Sequence, residues 1–249
     1  MNKLIRAEWI KWATIRMNWI IAIVGIVLGV ALTGVIVGLY DPSPDVSAAE
    51  ELASRVELIG AGSVFFGIFA GILGVRVFGN EYRTNTMMPS VIAAPIRTEV
   101  VAAKGILTFI VGLVYAIIGG ALSVAVVMVG LEMQDLGISF GDENMTRIAL
   151  GHVAYTVVYA LVGTAVGALF TSPALGIALI IAFPSVVEGA LGGFLPGNVG
   201  RYLPFTAGNA IIESTPEGPT ALEGALIFGG FTFVLFLVGG AVFERRDLG

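Results

Sequence analysis

The sequence contains no cysteine and a single histidine, His152, among its 249 residues. The lack of cysteine excludes disulfide bonds, thiolate metal sites and cysteine nucleophiles, and one histidine is too few for a multi-histidine metal site. Charged residues make up only 12% of the chain, whereas they make up about a quarter of an average soluble domain. A water-soluble surface needs more charge than this, so the composition argues strongly against a soluble globular protein.

Basic residues are also fewer than acidic ones, with 13 Lys and Arg residues and 18 Asp and Glu residues. Binding to the phosphates of a nucleic acid needs a basic face, so the composition argues against a nucleic-acid partner. The phosphate-binding pattern G-x-x-x-x-G-K-[ST] is absent from the chain. If transport through this protein is driven by ATP, the P-loop therefore lies on another polypeptide.

Apolar residues are abundant, at 57% of the chain, and they fall into long blocks. A bilayer core about 30 Å thick needs about 20 apolar residues in a helix. Six segments meet this requirement, namely 18–39, 58–78, 105–131, 147–170, 174–195 and 222–243. Because backbone polar groups in lipid must be hydrogen-bonded within the segment, we predict an all-α polytopic membrane protein, with a six-helix domain over residues 18–249. The short connection 171–173 predicts a tight hairpin between the fourth and fifth spans.

The basic residues predict the orientation of these spans. Ten of the thirteen fall on one side, namely Lys3, Arg6, Lys11, Arg16, Arg76, Arg83, Arg97, Lys104, Arg245 and Arg246. Cytoplasmic loops carry an excess of Lys and Arg, so we expect both termini and the loop 79–104 to lie in the cytoplasm of a cell with the protein in its plasma membrane. The loops on the opposite side are acidic, which favours cationic substrates only weakly.

Two stretches outside the spans have helical features. Residues 1–17 place Trp9 and Trp12 on an apolar sector on which Glu8 intrudes, as expected for a helix lying in the inner membrane interface. Such a helix either orients the first span or docks a partner. The loop 79–104 contains two prolines and charges of both signs, which predicts a short helix, a break and a second helix running into the third span. It is either the contact site for a cytoplasmic partner or an ordinary solvated connector.

Glu188 is the only acid well inside a span, about 10 Å from the outer end of the fifth helix. Because ionisable residues are costly in lipid, it is a candidate pathway residue that selects cations or relays protons. It could equally pair with Arg201 or with the outer segment 196–221, or form a structural hydrogen bond. That outer segment holds apolar side chains such as Phe205 and Ile211, so we expect part of it to return into the outer leaflet.

Five short motifs, in this order and spacing on a six-span frame, resemble the permease subunits of ABC-2-type ABC transporters. They are Ala7-Glu8-Trp9-x-Lys11, Glu81-Tyr82-Arg83-x-x-Thr86, Ala94-Pro95-x-Arg97 with Ala103-Lys104, Tyr202-Leu203-Pro204 with Ala207-Gly208 and Ala210-Ile211, and Phe243-x-x-Arg246-Asp247. Asn85 departs from the pattern, since the family often has glycine there.

The resemblance implies a dimer of two permeases, identical or homologous, that forms the translocation pathway and engages two copies of a cytoplasmic ATPase. ATP and Mg would be bound by that ATPase, with no cofactor on this chain. The helix around Glu81–Thr86, between the second and third spans, would be the coupling helix. The ATPase-coupling residues would be Glu81, Tyr82, Arg83, Thr84, Thr86 and Arg97. The interfacial helix, with Glu8, Trp9, Lys11 and Trp12, would contact the same partner. The first and fifth helices would form the dimer interface, which makes Gly25, Gly29, Gly189 and Gly193 interface candidates.

The sequence thus favours an ATP-driven exporter subunit that is not itself an enzyme. The alternative is an ion- or proton-coupled secondary transporter or a channel that works through Glu188. A membrane-embedded enzyme has no convergent set of catalytic residues to support it.

Overall fold

The computed structural model describes residues 1–42, 45–84, 86–93, 96–139, 141, 145–196, 198–213 and 218–246. These residues form eleven α-helices joined by short 3₁₀ and π-helical turns. The helices are α1 (Asn2–Thr14), α2 (Arg16–Gly38), α3 (Ala48–Glu57), α4 (Ser63–Arg83), α5 (Met87–Ala93), α6 (Arg97–Glu132), α7 (Met145–Leu169), α8 (Pro173–Ala182), α9 (Gly189–Phe194), α10 (Pro204–Asn209) and α11 (Ala221–Arg245).

Six helical segments are long and apolar enough to cross a bilayer, which confirms the all-α polytopic prediction. They are α2, α3 together with α4, α6, α7, α8 together with α9, and α11. The hairpin between the fourth and fifth spans is confirmed, because α7 ends at Leu169 and α8 begins at Pro173. Ser172 caps α8 by accepting a hydrogen bond from the amide of Leu175 at 3.3 Å.

The bundle has two chemically different ends. The end that carries α1, the connection from α4 to α6 and the C-terminal residues 243–246 holds most of the basic residues, and we call it the basic end. The opposite end carries α3, the connection from α6 to α7 and residues 195–213, and we call it the acidic end.

Helix α7 is the centre of the bundle, where it packs against α4, α6 and α11. Its closest approach is to α4, where a Cβ added to Gly163 would collide with the backbone carbonyl of Gly71. A Cβ on Gly74 would collide in the same way with the carbonyl of Ala160. Small residues therefore let the two backbones touch, as in other membrane helix pairs.

The loop 79–104 differs in detail from the sequence prediction. Helix α4 continues to Arg83, so Glu81 and Tyr82 belong to the last turn of a spanning helix rather than to a separate coupling helix. The separate short helix is α5, and Pro89 lies in its first turn, where a missing N–H costs no helical hydrogen bond. Pro95 lies outside the described residues, as do Ala94, Asn85 and Asp247 of the motifs.

The fifth span and the outer segment are also irregular. A π-helical turn, Phe183–Glu188, separates α8 from α9 and contains Pro184, whose ring cannot fit a regular helical turn. The outer segment returns into the bundle through α10, where Phe205 packs on Tyr159 and Phe228 with ring centroids 5.2 Å apart in each pair. The bundle therefore covers this part of the outer segment.

Candidate functional site

The basic end contains a buried network of charges centred on Lys104. This lysine is fully buried within α6. Its ammonium group donates hydrogen bonds to Glu8 Oε2 at 2.6 Å, to Glu81 Oε1 at 2.8 Å and to the carbonyl of Val77 at 3.1 Å. All three donors of the ammonium are therefore used, two of them on carboxylates, as a buried cation needs.

Lys11 completes the network from the interfacial helix α1. Its Nζ donates to Glu8 Oε1 at 2.6 Å, to Glu81 Oε1 at 2.9 Å and to Ser90 Oγ of α5 at 3.0 Å. Burial by itself lowers the pKa of Lys11, but the hydrogen bonds and negative charges of Glu8 and Glu81 outweigh burial and raise the pKa above its ordinary value. Lys11 is therefore a cation at physiological pH.

The four charges of the network, two glutamates and two lysines, sum to zero and join α1, α4, α5 and α6. Removing one partner from such a set leaves an uncompensated buried charge, which is strongly destabilising. The network therefore ties the interfacial helix and the short helix α5 to two spanning helices. We call these residues, Glu8, Lys11, Glu81 and Lys104, the charge network.

A second set of contacts fixes the elbow between α1 and α2. The extended backbone of Ile15 ends α1, and Asn18 Nδ2 donates to the carbonyl of Trp12 at 2.8 Å. Trp19 Nε1 donates to the carbonyl of Ala13 at the same distance. These bonds satisfy carbonyls that the end of α1 leaves without helical partners. Arg76 of α4 donates in turn from Nε to Asn18 Oδ1 at 2.8 Å.

Two arginines fasten the C-terminal end of the chain. Arg97 Nη1 donates to the carbonyl of Glu244 in the last turn of α11, at 2.8 Å, and to that of Arg246 just beyond it, at 2.7 Å. Arg246 donates to Tyr82 Oη at 2.6 Å and to the carbonyls of Ala168 and Leu169 at the end of α7. Both cations lie at helix C-termini, where the helix dipole favours positive charge. We call this arrangement the C-terminal clamp.

Between the C-terminal clamp and the charge network, part of the surface of the basic end is exposed. Arg83, Thr84 and Thr86 are exposed, and so are the apolar side chains of Met88 and Ile92, at 39% and 74% of their full area. We call these five residues the exposed α4–α5 surface. Of the sequence-predicted coupling residues, Arg83, Thr84 and Thr86 lie on this surface, whereas Glu81 lies in the charge network and Tyr82 and Arg97 lie in the clamp.

A family model described as ABC-2 family transporter protein matches residues 4–187, which include α1, the charge network and the exposed α4–α5 surface. The chain belongs to the ABC-2 transporter family. No curated protein matches the sequence. This ABC-2 family member is accordingly a multi-pass membrane protein of a transport system, and permeases of the family generally partner with an ATPase subunit.

Glu188 is buried and holds the outer segment of this ABC-2 protein. Its Oε1 accepts from the amide of Phe205 at 3.0 Å, and its Oε2 accepts from the amide and the hydroxyl of Thr206 at 2.8 and 2.9 Å. These amides belong to the first turn of α10, where they have no helical partners. Of the alternatives open from the sequence, the geometry agrees with a hydrogen-bonded link between the fifth span and the outer segment.

The candidate interface glycines fall into two groups. A Cβ on Gly25 would meet Phe69 at 2.5 Å, and a Cβ on Gly29 would meet Phe66 at 2.6 Å, so both pack against α4 inside the chain. Gly189 and Gly193 have open space around them and lie on a spanning segment of which only 17% of the most apolar stretch is buried. Only the second pair is open to another chain.

Sequence reasoning missed the partners of Glu8 and of His152. The intrusion of Glu8 on an apolar sector was the available signal, since an acid there needs a buried cation. His152 Nδ1 lies 2.7 Å from Ser63 Oγ of α4, and both side chains are fully buried. No sequence signal links these two residues, because they are 89 positions apart.

Proposed function

We propose that this chain is the transmembrane permease subunit of an ATP-driven ABC exporter in the plasma membrane, with its basic end in the cytoplasm. It would act as a dimer with an identical or homologous permease and would be driven by two copies of a separate ATPase that binds ATP and Mg. The observation that carries the proposal is the exposed α4–α5 surface, which is attached through α5 and α4 to the buried charge network.

The chemistry of the exposed α4–α5 surface indicates what kind of partner it fits. Its side chains are one cation, two hydroxyls and two apolar groups, because Glu81 is turned inward and neutralised by two lysines. A complementary receiving surface would be an apolar cleft with an acidic rim. We expect the ATPase to present such a cleft.

The charge network provides a route for motion from that surface into the membrane. Ser90 of α5 accepts from Lys11, which also binds Glu8 on its own helix and Glu81 on α4. Because each member needs the others for neutralisation, α1, α4, α5 and α6 are expected to move together when the ATPase moves α5. Rigid-body motion of one permease against the other would then alternate access to the pathway.

The exposed apolar area of the fifth span supports a dimer interface there. Only 17% of the most apolar stretch of the fifth span is buried within the chain, compared with 22% for α2 and 22% for α11. Gly189 and Gly193 lie on the fifth span with free space beside them. Close approach of a second chain is therefore sterically open there.

The first test is purification of the tagged chain from its native host in mild detergent after gentle crosslinking, with mass spectrometry of the proteins that accompany it. We expect a stoichiometric protein that carries a P-loop, and a second six-span chain if the permease is a heterodimer. A chain that purifies alone under these conditions contradicts the proposal.

The second test changes the exposed α4–α5 surface directly. We expect Arg83→Glu and Ile92→Asp each to reduce ATPase co-purification and coupled ATP hydrolysis at least tenfold, because they reverse the charge and the polarity of the docking surface. The matched control is Arg245→Glu, an exposed arginine at the same end. If both variants keep full coupling while inserting normally, the surface is not the docking site.

A further inference from the structure

A small cavity of about 30 Å³ lies between α1 and α4, beside the charge network. Trp12 of α1 and Leu107 of α6 help to close it, and its polar lining comprises Arg76, Asn80 and Glu81 of α4 together with Glu8, Lys11 and Asn18. The cavity is large enough for one water molecule.

Three side-chain atoms of the polar lining are buried and have no hydrogen-bond partner among the residues that the structure describes: Arg76 Nη2, Asn80 Oδ1 and Glu81 Oε2. Asn80 and Glu81 are only 7% and 6% exposed. Arg76 and Asn80 are four positions apart and share a face of α4, Glu81 follows directly after Asn80, and all three residues line the same cavity. Buried polar atoms in proteins are almost always hydrogen-bonded, so these three atoms indicate a bound species.

The hydrogen-bonding properties of the three atoms determine which species can bind there. Arg76 Nη2 is a donor, whereas Asn80 Oδ1 and Glu81 Oε2 are acceptors. The four charged residues that border the cavity, Glu8, Lys11, Arg76 and Glu81, sum to zero, so a metal cation would leave its own charge uncompensated there. An anion would be repelled by the two acceptor oxygens. A water molecule can accept one hydrogen bond and donate two, which matches the set.

We propose that this cavity is a binding site for one structural water molecule. The water accepts a hydrogen bond from Arg76 Nη2 and donates one each to Asn80 Oδ1 and Glu81 Oε2. It thereby joins two sets of contacts that are otherwise separate. On one side lies the elbow, where Arg76 binds Asn18 and Asn18 binds the Trp12 carbonyl. On the other side, Glu81 belongs to the charge network. The inference concerns the fold of the chain and does not depend on the proposed function.

The direct test is cryo-electron microscopy of the full-length chain in lipid nanodiscs, at a resolution that shows ordered water. We expect a single peak within about 3.2 Å of all three atoms. A cavity without density, or a direct contact of Arg76 Nη2 with Glu81 Oε2, overturns the proposal.

To distinguish water from an ion, the thermal unfolding midpoint is measured with gluconate in place of chloride and with choline in place of sodium. An unchanged midpoint is expected, and a shift of several degrees overturns the assignment to water.

Two variants of one residue separate the water site from a general role of Asn80 in packing. Asn80→Asp keeps an acceptor oxygen at the cavity, so the density should remain. Asn80→Leu has similar volume and no acceptor, so the density should disappear and the unfolding midpoint should fall. Density that persists in Asn80→Leu contradicts the proposed hydrogen bonds. If Asn80→Leu does not fold, the images of the unsubstituted chain and of Asn80→Asp still decide the question.

Discussion

Lys104 is a fully buried cation at the basic end, and it is neutralised by residues from two other helices. The cost of burying it is recovered only while both Glu8 and Glu81 remain ionised and in contact with it. Lys11 makes similar contacts, but its side chain is 41% exposed, so water can replace part of what its partners supply. Lys104 should therefore contribute more than Lys11 to the free energy of unfolding.

We expect Lys104→Met to lower the free energy of unfolding by roughly 3–5 kcal/mol, because it leaves two buried carboxylates with only Lys11 to neutralise them. Lys11→Met is the matched comparison and should cost clearly less. Thermal unfolding of the purified chains in detergent measures both. If both variants lose the same free energy of unfolding, burial does not determine how much each lysine contributes to stability.

Glu188 offers a second prediction at the scale of one residue. In Glu188→Gln, an NH2 group replaces one carboxylate oxygen and cannot accept a hydrogen bond, so the bond from Phe205 or the pair of bonds from Thr206 is lost and α10 is held less firmly. We expect faster hydrogen exchange at the amides of Phe205 and Thr206, with transport largely retained. If transport is abolished with no dependence on an ATPase, the ion-coupled secondary transporter gains support and the exporter proposal loses it.

The residue scale also shows how far sequence reasoning reached. The resemblance identified Glu8, Lys11 and Glu81 as contacts for a partner, whereas the residues themselves left an orienting helix and a solvated connector open. The burial of Glu8 and Glu81 could not be predicted, because it depends on Lys104, which lies 96 residues from Glu8 in the chain. Pairing over such a separation is decided by how the helices pack and leaves no periodic signal.

Among the elements, the C-terminal end of α11 is held in an unusual way. Arg97 at the start of α6 binds the carbonyls that end α11, and Arg246 beyond α11 binds Tyr82 at the end of α4. The two helices that flank the exposed α4–α5 surface are thus fastened to one C-terminal stretch. The sequence predicted the helices themselves from their apolar length, whereas the clamp required the three-dimensional arrangement of their ends.

We expect Arg246→Gln to lower the free energy of unfolding by about 1.5–3 kcal/mol, the usual range for the loss of charge-assisted hydrogen bonds. Hydrogen exchange in the last turn of α11 should rise in parallel. Arg245→Gln is the control, because this neighbouring arginine is exposed and its replacement should change stability by less than about 0.5 kcal/mol. An equal effect of the two substitutions would argue against the clamp.

The whole molecule is organised around the crossing of α4 and α7. Gly67 with Gly71 and Gly163 with Gly167 are glycine pairs four residues apart, a spacing that permits close helix packing. Both pairs pack inside the chain, with Gly163 against Gly71 and Gly167 against the backbone of Val75. The partners themselves were not predictable, since every spanning helix contains small residues at a similar spacing.

We expect Gly163→Ala to lower the free energy of unfolding, because the added methyl group collides with the Gly71 carbonyl. The loss should lie near the upper end of the range of roughly 1–3 kcal/mol that is typical of overpacked cores. Gly229→Ala provides the matched control, since a Cβ there has open space around it. The yield of folded protein and the unfolding midpoint measure the difference. A tolerant Gly163→Ala would mean that α4 and α7 can separate without loss of the fold.

The sequence by itself determined the number of spans, the helical class and the family, because apolar length, charge asymmetry and short motifs are local properties of the chain. Only the tertiary structure decided which charges are neutralised inside and which remain exposed. The reason is physical: the free energy of a buried charge depends on partners from other helices, and those partners are brought within hydrogen-bond distance by packing. Glu81 and Arg83, two residues apart in one motif, illustrate this, since one lies inside the charge network and the other on the exposed surface.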